Sequence, residues 1–532
     1  MDTYRTKYGK YILREGENNV TINGYNLAKT GTYWVRVYNS AGSQNDDVGG
    51  TNYTANATYT QLTITNVSNI QHSGWLRVCV NNLESINNVN NNSIDTNKED
   101  DGSGISSTLW NDDRYLQVWE YQGSFNGSLN PIHPAMEADR STWRLWASWS
   151  NYATCSTYLA ALGPVAARST IHNTYDPPEW TDIIFVQNTT HIRVTYLQNY
   201  YNGVITWGFL VTEESDSGGN GTEAQIEILG TDFATSPIYS DGDDEMMYQF
   251  QNPRIAYDPV NNRNYVSYYD AYALCLKYGV TQGNTRVFTA YNSHQTDGAT
   301  VVDGIDDTTP PPTTTGDDVG LWSSIQIDNI GGTDAATPRP VIMYYDSTNA
   351  TLKIARGNNS MPNGTAEWTK QEVFKSDDPY RDNCGYYVSM KLDSSGNVHA
   401  VAYRIATGDL IYIYAPNVDG TGSYTFNYSV LVDSQGSVGA WCDIDLVGST
   451  PYVSYLNAGG ISTFNGLKFA YYDTAKGDWE HGTVATNSIV KDGRTSLVVR
   501  PTSAAWVNST KGKAAIAYVS GNYDLVILED EE

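Results

Sequence analysis

Short runs of four to eight residues, in which apolar or β-branched side chains alternate with polar ones, recur along the whole chain between clusters of Gly, Asn, Asp and Pro. Alternation with period two lets a strand bury one face and wet the other. No stretch sustains the i, i+3, i+4, i+7 stripe of an amphipathic helix. The pattern predicts an all-β protein. Early runs at Asn19–Ile22, Tyr33–Tyr38, Thr58–Thr65 and Trp75–Val80 suit a small sandwich over residues 1–92. Residues 85–107 hold few apolar side chains and many turn formers, so a linker is placed at 93–112. Everything from 113 to 532 forms a second, larger unit.

That larger unit repeats. A strand of the form apolar-x-Tyr appears as Val194-Thr-Tyr196, Val266-Ser-Tyr268, Ile342-Met-Tyr344, Val401-Ala-Tyr403, Val453-Ser-Tyr455 and Ile516-Ala-Tyr518. A looser copy is Trp146-Ala-Ser-Trp149. A second strand follows, plainest at Leu276-Lys-Tyr278, Leu352-Lys-Ile354, Leu467-Lys-Phe469 and Leu525-Val-Ile527. In four copies a preceding strand ends in a comparable Asp: Asp258, Asp328, Asp393 and Asp445. An outer strand closes several units, as in Trp368–Phe374 and Tyr428–Asp433. Four antiparallel strands every 50–75 residues is the signature of a β-propeller blade. Counting the Trp149 copy predicts seven blades, with six as the alternative because the first unit is degenerate. The last unit, from Ser496, has three strands, whereas the run Tyr115–Glu120 has no unit of its own. It is therefore expected to supply the missing outer strand and close the ring, leaving no long open edge.

The N-terminal block carries a resemblance. Gly16–Leu27, Trp34-Val-Arg-Val-Tyr38 and Gly74-Trp-Leu-Arg-Val-Cys-Val-Asn-Asn82, with Ser85 and Asn87, resemble an IPT/TIG immunoglobulin-like domain over most of residues 8–90. The resemblance implies a spacer or structural role for this block. The repeats behind it resemble the propellers of bacterial surface proteins.

Charge narrows the partners. The 532 residues include 32 Lys and Arg against 59 Asp and Glu, a net charge of −27, so nucleic acid and anionic membrane are excluded as main partners. No run approaches the roughly 18–20 consecutive apolar residues of a membrane-spanning helix. Met1–Lys7 has no apolar signal-peptide core, which leaves a cytoplasmic protein or a mature fragment given a start Met. The excess of Tyr (41) over Phe (10) and the abundance of Asn, Thr, Ser and Gly favour the second, an extracellular or cell-surface protein excised from a longer one. Cys79, Cys155, Cys275, Cys384 and Cys442 form no metal pair or disulfide framework. Isolated buried thiols are expected, with a Cys384–Cys442 bridge as the alternative.

No HExxH helix, GxSxG elbow or sialidase Asp-box occurs, and the seven histidines are scattered without metal-ligand spacing. These absences weigh against an enzyme without deciding the matter. The acidic residues have a pattern of their own. Asp241, Asp243, Asp244 and Glu245, then Asp303, Asp306, Asp307, Asp317 and Asp318, then Asp377, Asp378 and Asp382, precede successive inner strands. Asp270 and Asp346 follow the repeat tyrosines, on the same expected face, beside Tyr272, Trp322, Tyr386, Tyr387 and Trp441. Clustered carboxylates could hold Ca²⁺, which wants six to eight oxygens, and the candidate ligands are Asp241, Asp243, Asp244, Glu245, Asp303, Asp306 and Asp307. Aromatics beside Asp suit a sugar, whose ring packs on an aromatic face while its hydroxyls take polar partners. The candidate ligand-binding set is Asp270, Tyr272, Trp322, Asp346, Tyr386, Tyr387 and Trp441. The expected function is recognition of a glycan or an extracellular protein. Alternatives are a glycan-cleaving propeller with two carboxylates in a concave pocket, and a purely structural subunit of a surface assembly.

Overall fold

A computed structural model describes residues 11–14, 19–23, 32–38, 44–55, 61–65, 74–81, 115–125, 131–140, 143–151, 156–161, 167–173, 180–185, 191–201, 206–216, 226–230, 250–271, 273–282, 285–286, 299–305, 316–329, 338–374, 377–417, 424–426, 428–458, 463–464, 466–474, 477–485, 489–490, 494–501, 512–522 and 524–530. Among them the only helical element is the single 3₁₀ turn Thr365–Glu367. The protein is all-β.

From residue 131 onward the strands form successive antiparallel sheets, each built from neighbours in sequence. Their first strands are Pro131–Asp139, Thr181–Phe185, Phe250–Asp258, Val319–Asp328, Cys384–Leu392, Val438–Val447 and Ser496–Pro501. Each first strand packs against the first strand of the next sheet, and Ser496–Pro501 packs back against Pro131–Asp139, so these inner strands form a closed cycle. Four-stranded sheets around a common axis are propeller blades. The final sheet takes only three strands from the C-terminal end. Its outer strand is Tyr115–Phe125, antiparallel to Leu525–Asp530 with Phe125 opposite Leu525. Earlier in the chain, Thr32–Tyr38 pairs with Gln44–Ala55 and Gly74–Asn81, Asn19–Asn23 pairs with Gln61–Thr65, and Tyr11–Arg14 runs parallel to Tyr115–Phe125.

The apolar halves of the alternating strands meet between sheets. One cluster joins Val401, Leu410 and Tyr412 to Ile444, Val453, Tyr455 and Trp479 of the following sheet; another joins Met136, Ala147 and Trp149 to Ala515, Leu525 and Ile527 across the closure. In two of the four copies the Asp near the end of an inner strand caps the hairpin that follows, whereas Asp328 receives Arg356 (2.7 Å) and Asp445 receives Val499 N (2.8 Å). Asp258 accepts from Val260 N (2.8 Å) and Asn261 N (3.2 Å), and Asp393 from Ser395 N (2.8 Å) and Asn397 N (3.0 Å). Cys275, Cys384 and Cys442 are buried free thiols, with no Cys384–Cys442 bridge.

The inner strands expose unpaired edge amides toward the axis, and a buried amide needs an acceptor. Side chains of the preceding sheet supply it. Asp182 accepts from Ile255 N (3.0 Å), Ser324 from Met390 N (3.1 Å), Ser389 from Ile444 N (3.3 Å), Asp443 from Leu497 N (2.8 Å) and Ser496 from Met136 N (2.9 Å). The equivalent position in the remaining two sheets is Ala135 or Arg254.

Candidate functional site: an aromatic collar over a charged axial cavity

Two residues ahead of each of those positions stands a side chain at the head of the inner strand. These are His133, Trp180, Asn252, Trp322, Tyr387 and Trp441, all with positive φ between 46° and 58°. Arg494 takes the corresponding place before Ser496. In five of the sheets the ladder slips here, as between Leu321 and Ser324 or Ala440 and Asp443, so each head is a β-bulge that re-aims its side chain. Glycines make room for the bulge. A Cβ on Gly320 would lie 2.8 Å from Leu276 Cα, and one on Gly385 would lie 2.7 Å from the Tyr345 ring.

The re-aimed rings meet one another. His133 stacks on Trp180 at 3.9 Å between centroids, Trp180 lies 5.6 Å from Trp441, and Trp441 lies 4.2 Å from Tyr387. Tyr387 lies 5.1 Å from Trp322, which lies 4.3 Å from Tyr386; Tyr386 in turn sits 4.7 Å from the buried Tyr345. A continuous collar of rings from several sheets thus gathers at one end of the axis. Trp441 is buried, while Trp180, Trp322, Tyr386 and Tyr387 are half-buried and keep some ring surface toward solvent. His133 has no partner at Nδ1, and burial lowers its pKa to about 3, so it is neutral in the stack.

Beyond the collar the inner strands line a cavity of about 230 Å³. Glu137, Asp182 and Asp443 meet Arg254, Lys391 and Arg494 there, with Ser324, Ser389, Ser496 and Gln326 between them. Asp182 receives Arg494 Nη2 at 2.9 Å and lies 3.5 Å from Arg254. Asp443 accepts from Ser389 Oγ (2.7 Å), Leu497 N and Ile444 N. Burial raises the pKa of all three carboxyls; the charges of Arg254 and Lys391 oppose this at Asp182 and Asp443, and those of Arg140 and Lys391 at Glu137. Arg140 Nη2 also donates to both oxygens of Asp445, at 3.0 Å (Oδ1) and 2.9 Å (Oδ2).

Of the residues expected to bind ligand, Trp322, Tyr386, Tyr387 and Trp441 come together in the collar. Asp270 and Asp346 do not join them. Each is 1% exposed; Asp270 pairs with the buried Lys277 Nζ at 2.8 Å, and Asp346 caps Asn349 N at 2.9 Å and faces Lys353 at 3.3 Å. Following the repeat tyrosine, they meet the Lys of the Leu-Lys strand inside the sheet. Asp303 is likewise committed to protein partners. It accepts from Tyr344 Oη (2.7 Å) and Lys353 Nζ (2.7 Å) of the next sheet, and Lys370 lies 3.1 Å away. Tyr272, Asp241, Asp243, Asp244, Glu245, Asp306 and Asp307 lie outside the described residues. Among the described residues, no three His, Cys, Asp or Glu side chains gather as metal ligands would.

Sequence reasoning picked out Arg254 and Arg494 as arginines able to grip a carboxylate, but missed His133, Trp180, Lys391 and the axial carboxyls Glu137, Asp182 and Asp443. The available signal was an aromatic two places before Ser or Asp, as in Trp180-Thr-Asp182, Trp322-Ser-Ser324, Tyr387-Val-Ser389 and Trp441-Cys-Asp443.

No family model and no curated protein matches the chain. Solved structures do. An α-L-arabinanase of Penicillium chrysogenum complexed with arabinobiose is 12% identical with a TM-score of 0.37, covering 77% of this chain and 97% of that one. The polysaccharide lyase Uly1 is 8% identical with a TM-score of 0.41, over 78% and 92%. An ulvan lyase of polysaccharide lyase family PL25 is 11% identical with a TM-score of 0.40, over 78% and 96%. Likeness at this level assigns no activity. No described helix is long and apolar enough to cross a membrane.

Proposed function

We propose that this is an extracellular, glycan-binding β-propeller of seven blades, carried behind an IPT/TIG-like spacer, with the aromatic collar as its sugar platform. The observation that carries the reading is the collar itself. Bulky aromatics at positive φ are costly and uncommon, yet here they recur at the same place in successive sheets and converge. Sugars present apolar faces to such rings and hydroxyls to the polar groups around them. A calcium ion held by the acidic loops at 241–245 and 306–307, without Asp303, belongs to the same proposal, as does an extracellular protein partner in place of a free glycan.

A glycan array probed with the purified chain, in calcium and again in chelator, tests this reading. Binding should fall at least tenfold in Trp322→Ala and Tyr387→Ala. Silence on the array, or hits indifferent to both substitutions, would sink the platform; hits indifferent to chelator would remove calcium from it.

One observation favours cleavage as a second reading. Glu137, Asp182 and Asp443 share one cavity and all have raised pKa values, the environment that keeps a catalytic acid protonated. Array hits incubated with the protein should then release new chain ends, and Asp443→Asn should abolish the release. Intact glycans after prolonged incubation would leave binding alone.

A further inference from the structure

We infer that the axial cavity is a second binding site, separate from the collar, for a small monoanionic carboxylate of about monosaccharide size. At about 230 Å³ it is smaller than the roughly 300–1,000 Å³ that accommodates a drug-sized ligand. Its polar groups are unevenly committed. Every carboxylate has donors: Asp182 holds Arg494 and Ile255 N, Asp443 holds Ser389, Leu497 N and Ile444 N, and Glu137 holds Ala138 N at 3.0 Å with Arg140 at 3.7 Å. The cations are less well supplied. Among the described residues Lys391 has no ion-pair partner, and Arg254 has a single contact, at 3.5 Å to an oxygen that Arg494 already occupies. Arg494, itself 4% exposed, keeps an unpartnered Nε, and Gln326 adds an amide with no hydrogen bond among the described residues.

Unspent donors beside already satisfied acceptors select an anion, because a buried cation gains most from a charge-assisted partner. The neighbouring Glu137, Asp182 and Asp443 repel a dianion, which favours a monoanion over phosphate. The Ser324 hydroxyl and the Gln326 side-chain amide can take up hydroxyl groups, so a hydroxylated acid such as a hexuronate fits the lining.

Calorimetric titration of the full chain with sodium glucuronate, with glucose as the neutral counterpart and inorganic phosphate as the dianion, tests the site. Glucuronate should bind at one-to-one stoichiometry, at least tenfold tighter than glucose or phosphate. Lys391→Met should lose at least tenfold in affinity while Lys391→Arg retains most of it, and a thermal melt of both variants checks that they fold. Absent glucuronate binding, equal binding of glucose, or binding unchanged in folded Lys391→Met would each overturn the inference. It stands apart from the collar reading, although it shares its cavity with the cleavage reading: a silent array with intact glucuronate binding removes only the collar platform, and the reverse result removes only this site.

Discussion

A tryptophan held at φ near 50° costs about 1–2 kcal/mol that glycine would not, and Trp322 and Trp441 both accept that cost. The cost separates the two contributions of the ring. Trp441→Ala keeps the strained backbone and loses a ring that is only 9% exposed, so chemical denaturation should show a loss of about 3–5 kcal/mol. Trp441→Gly loses the same ring but relaxes the backbone, and should be more stable than the alanine variant by about 1 kcal/mol. Equal stabilities would mean that the bulge carries no strain. Gly385→Ala should cost about 1–3 kcal/mol, because its new Cβ meets the Tyr345 ring at 2.7 Å. Trp322, Tyr387 and Trp441 were legible in the sequence because the repeat places loop residues on one face. His133 and Trp180 were not, because only the bulge turns a strand-leading residue over the axis. Asp270 and Asp346 read as exposed turn residues for a related reason. An Asp in a turn looks the same whether it faces water or a buried lysine.

At the scale of the element, one arrangement recurs between sheets. The Asp ending an outer strand receives the repeat Tyr and the lysine of the Leu-Lys strand from the next sheet. Asp303 receives Tyr344 and Lys353, and Asp433 receives Tyr455 (2.8 Å) and Lys468. Leu-Lys was visible in the sequence as a strand motif, but its partner was not, because the pairing crosses between units. Lys468→Met leaves Asp433 buried without its ammonium and should cost about 3–5 kcal/mol, read as a shifted urea midpoint. These clasps also set the response to acid. Burial would raise Asp303 and Asp433, but Lys353 and Tyr344 outweigh it at the first, and His481 and Lys468 at the second, so both carboxyls are held below their usual range. A carboxyl lowered in the fold stabilises above its unfolded value of about 3.9 and loses that contribution as pH falls through its folded value. The axial carboxyls act with the opposite sign. Raised in the fold, they contribute below about pH 4 and lose that contribution as pH rises through their folded values. Glu137→Gln, which can keep its Oε1 on Ala138 N, should therefore be at least as stable as the parent at pH 7 and lose its advantage at pH 4, as thermal melts at the two values would show. A parent more stable at both would refute the assignment.

For the molecule as a whole, the sequence made the sheets legible because each is local: four strands joined by short turns, with alternation fixing the buried face. The closing strand was legible too, by subtraction, since Tyr115–Glu120 had no unit and the last unit lacked a strand. The axial cavity was not. Its charged residues come from inner strands of different sheets, and nothing in a linear repeat brings Lys391 beside Asp182. Deleting residues 1–125 should leave Leu525–Asp530 as an open edge, and light scattering should register self-association. A monodisperse truncated protein would mean that the edge is protected some other way.

The closing seam also fixes an order of events during synthesis. Phe125 and Leu525 are partners 400 positions apart in the chain. At about 5–20 residues per second, the earlier strand waits roughly 20–80 s on the ribosome before its mate exists. Every sheet between them can form from its own neighbours in that interval, but the ring cannot shut. The nascent chain is therefore an open arc whose leading strand keeps one edge unpaired, and its exposure to chaperones and to stray pairing ends only once Leu525–Asp530 has been made.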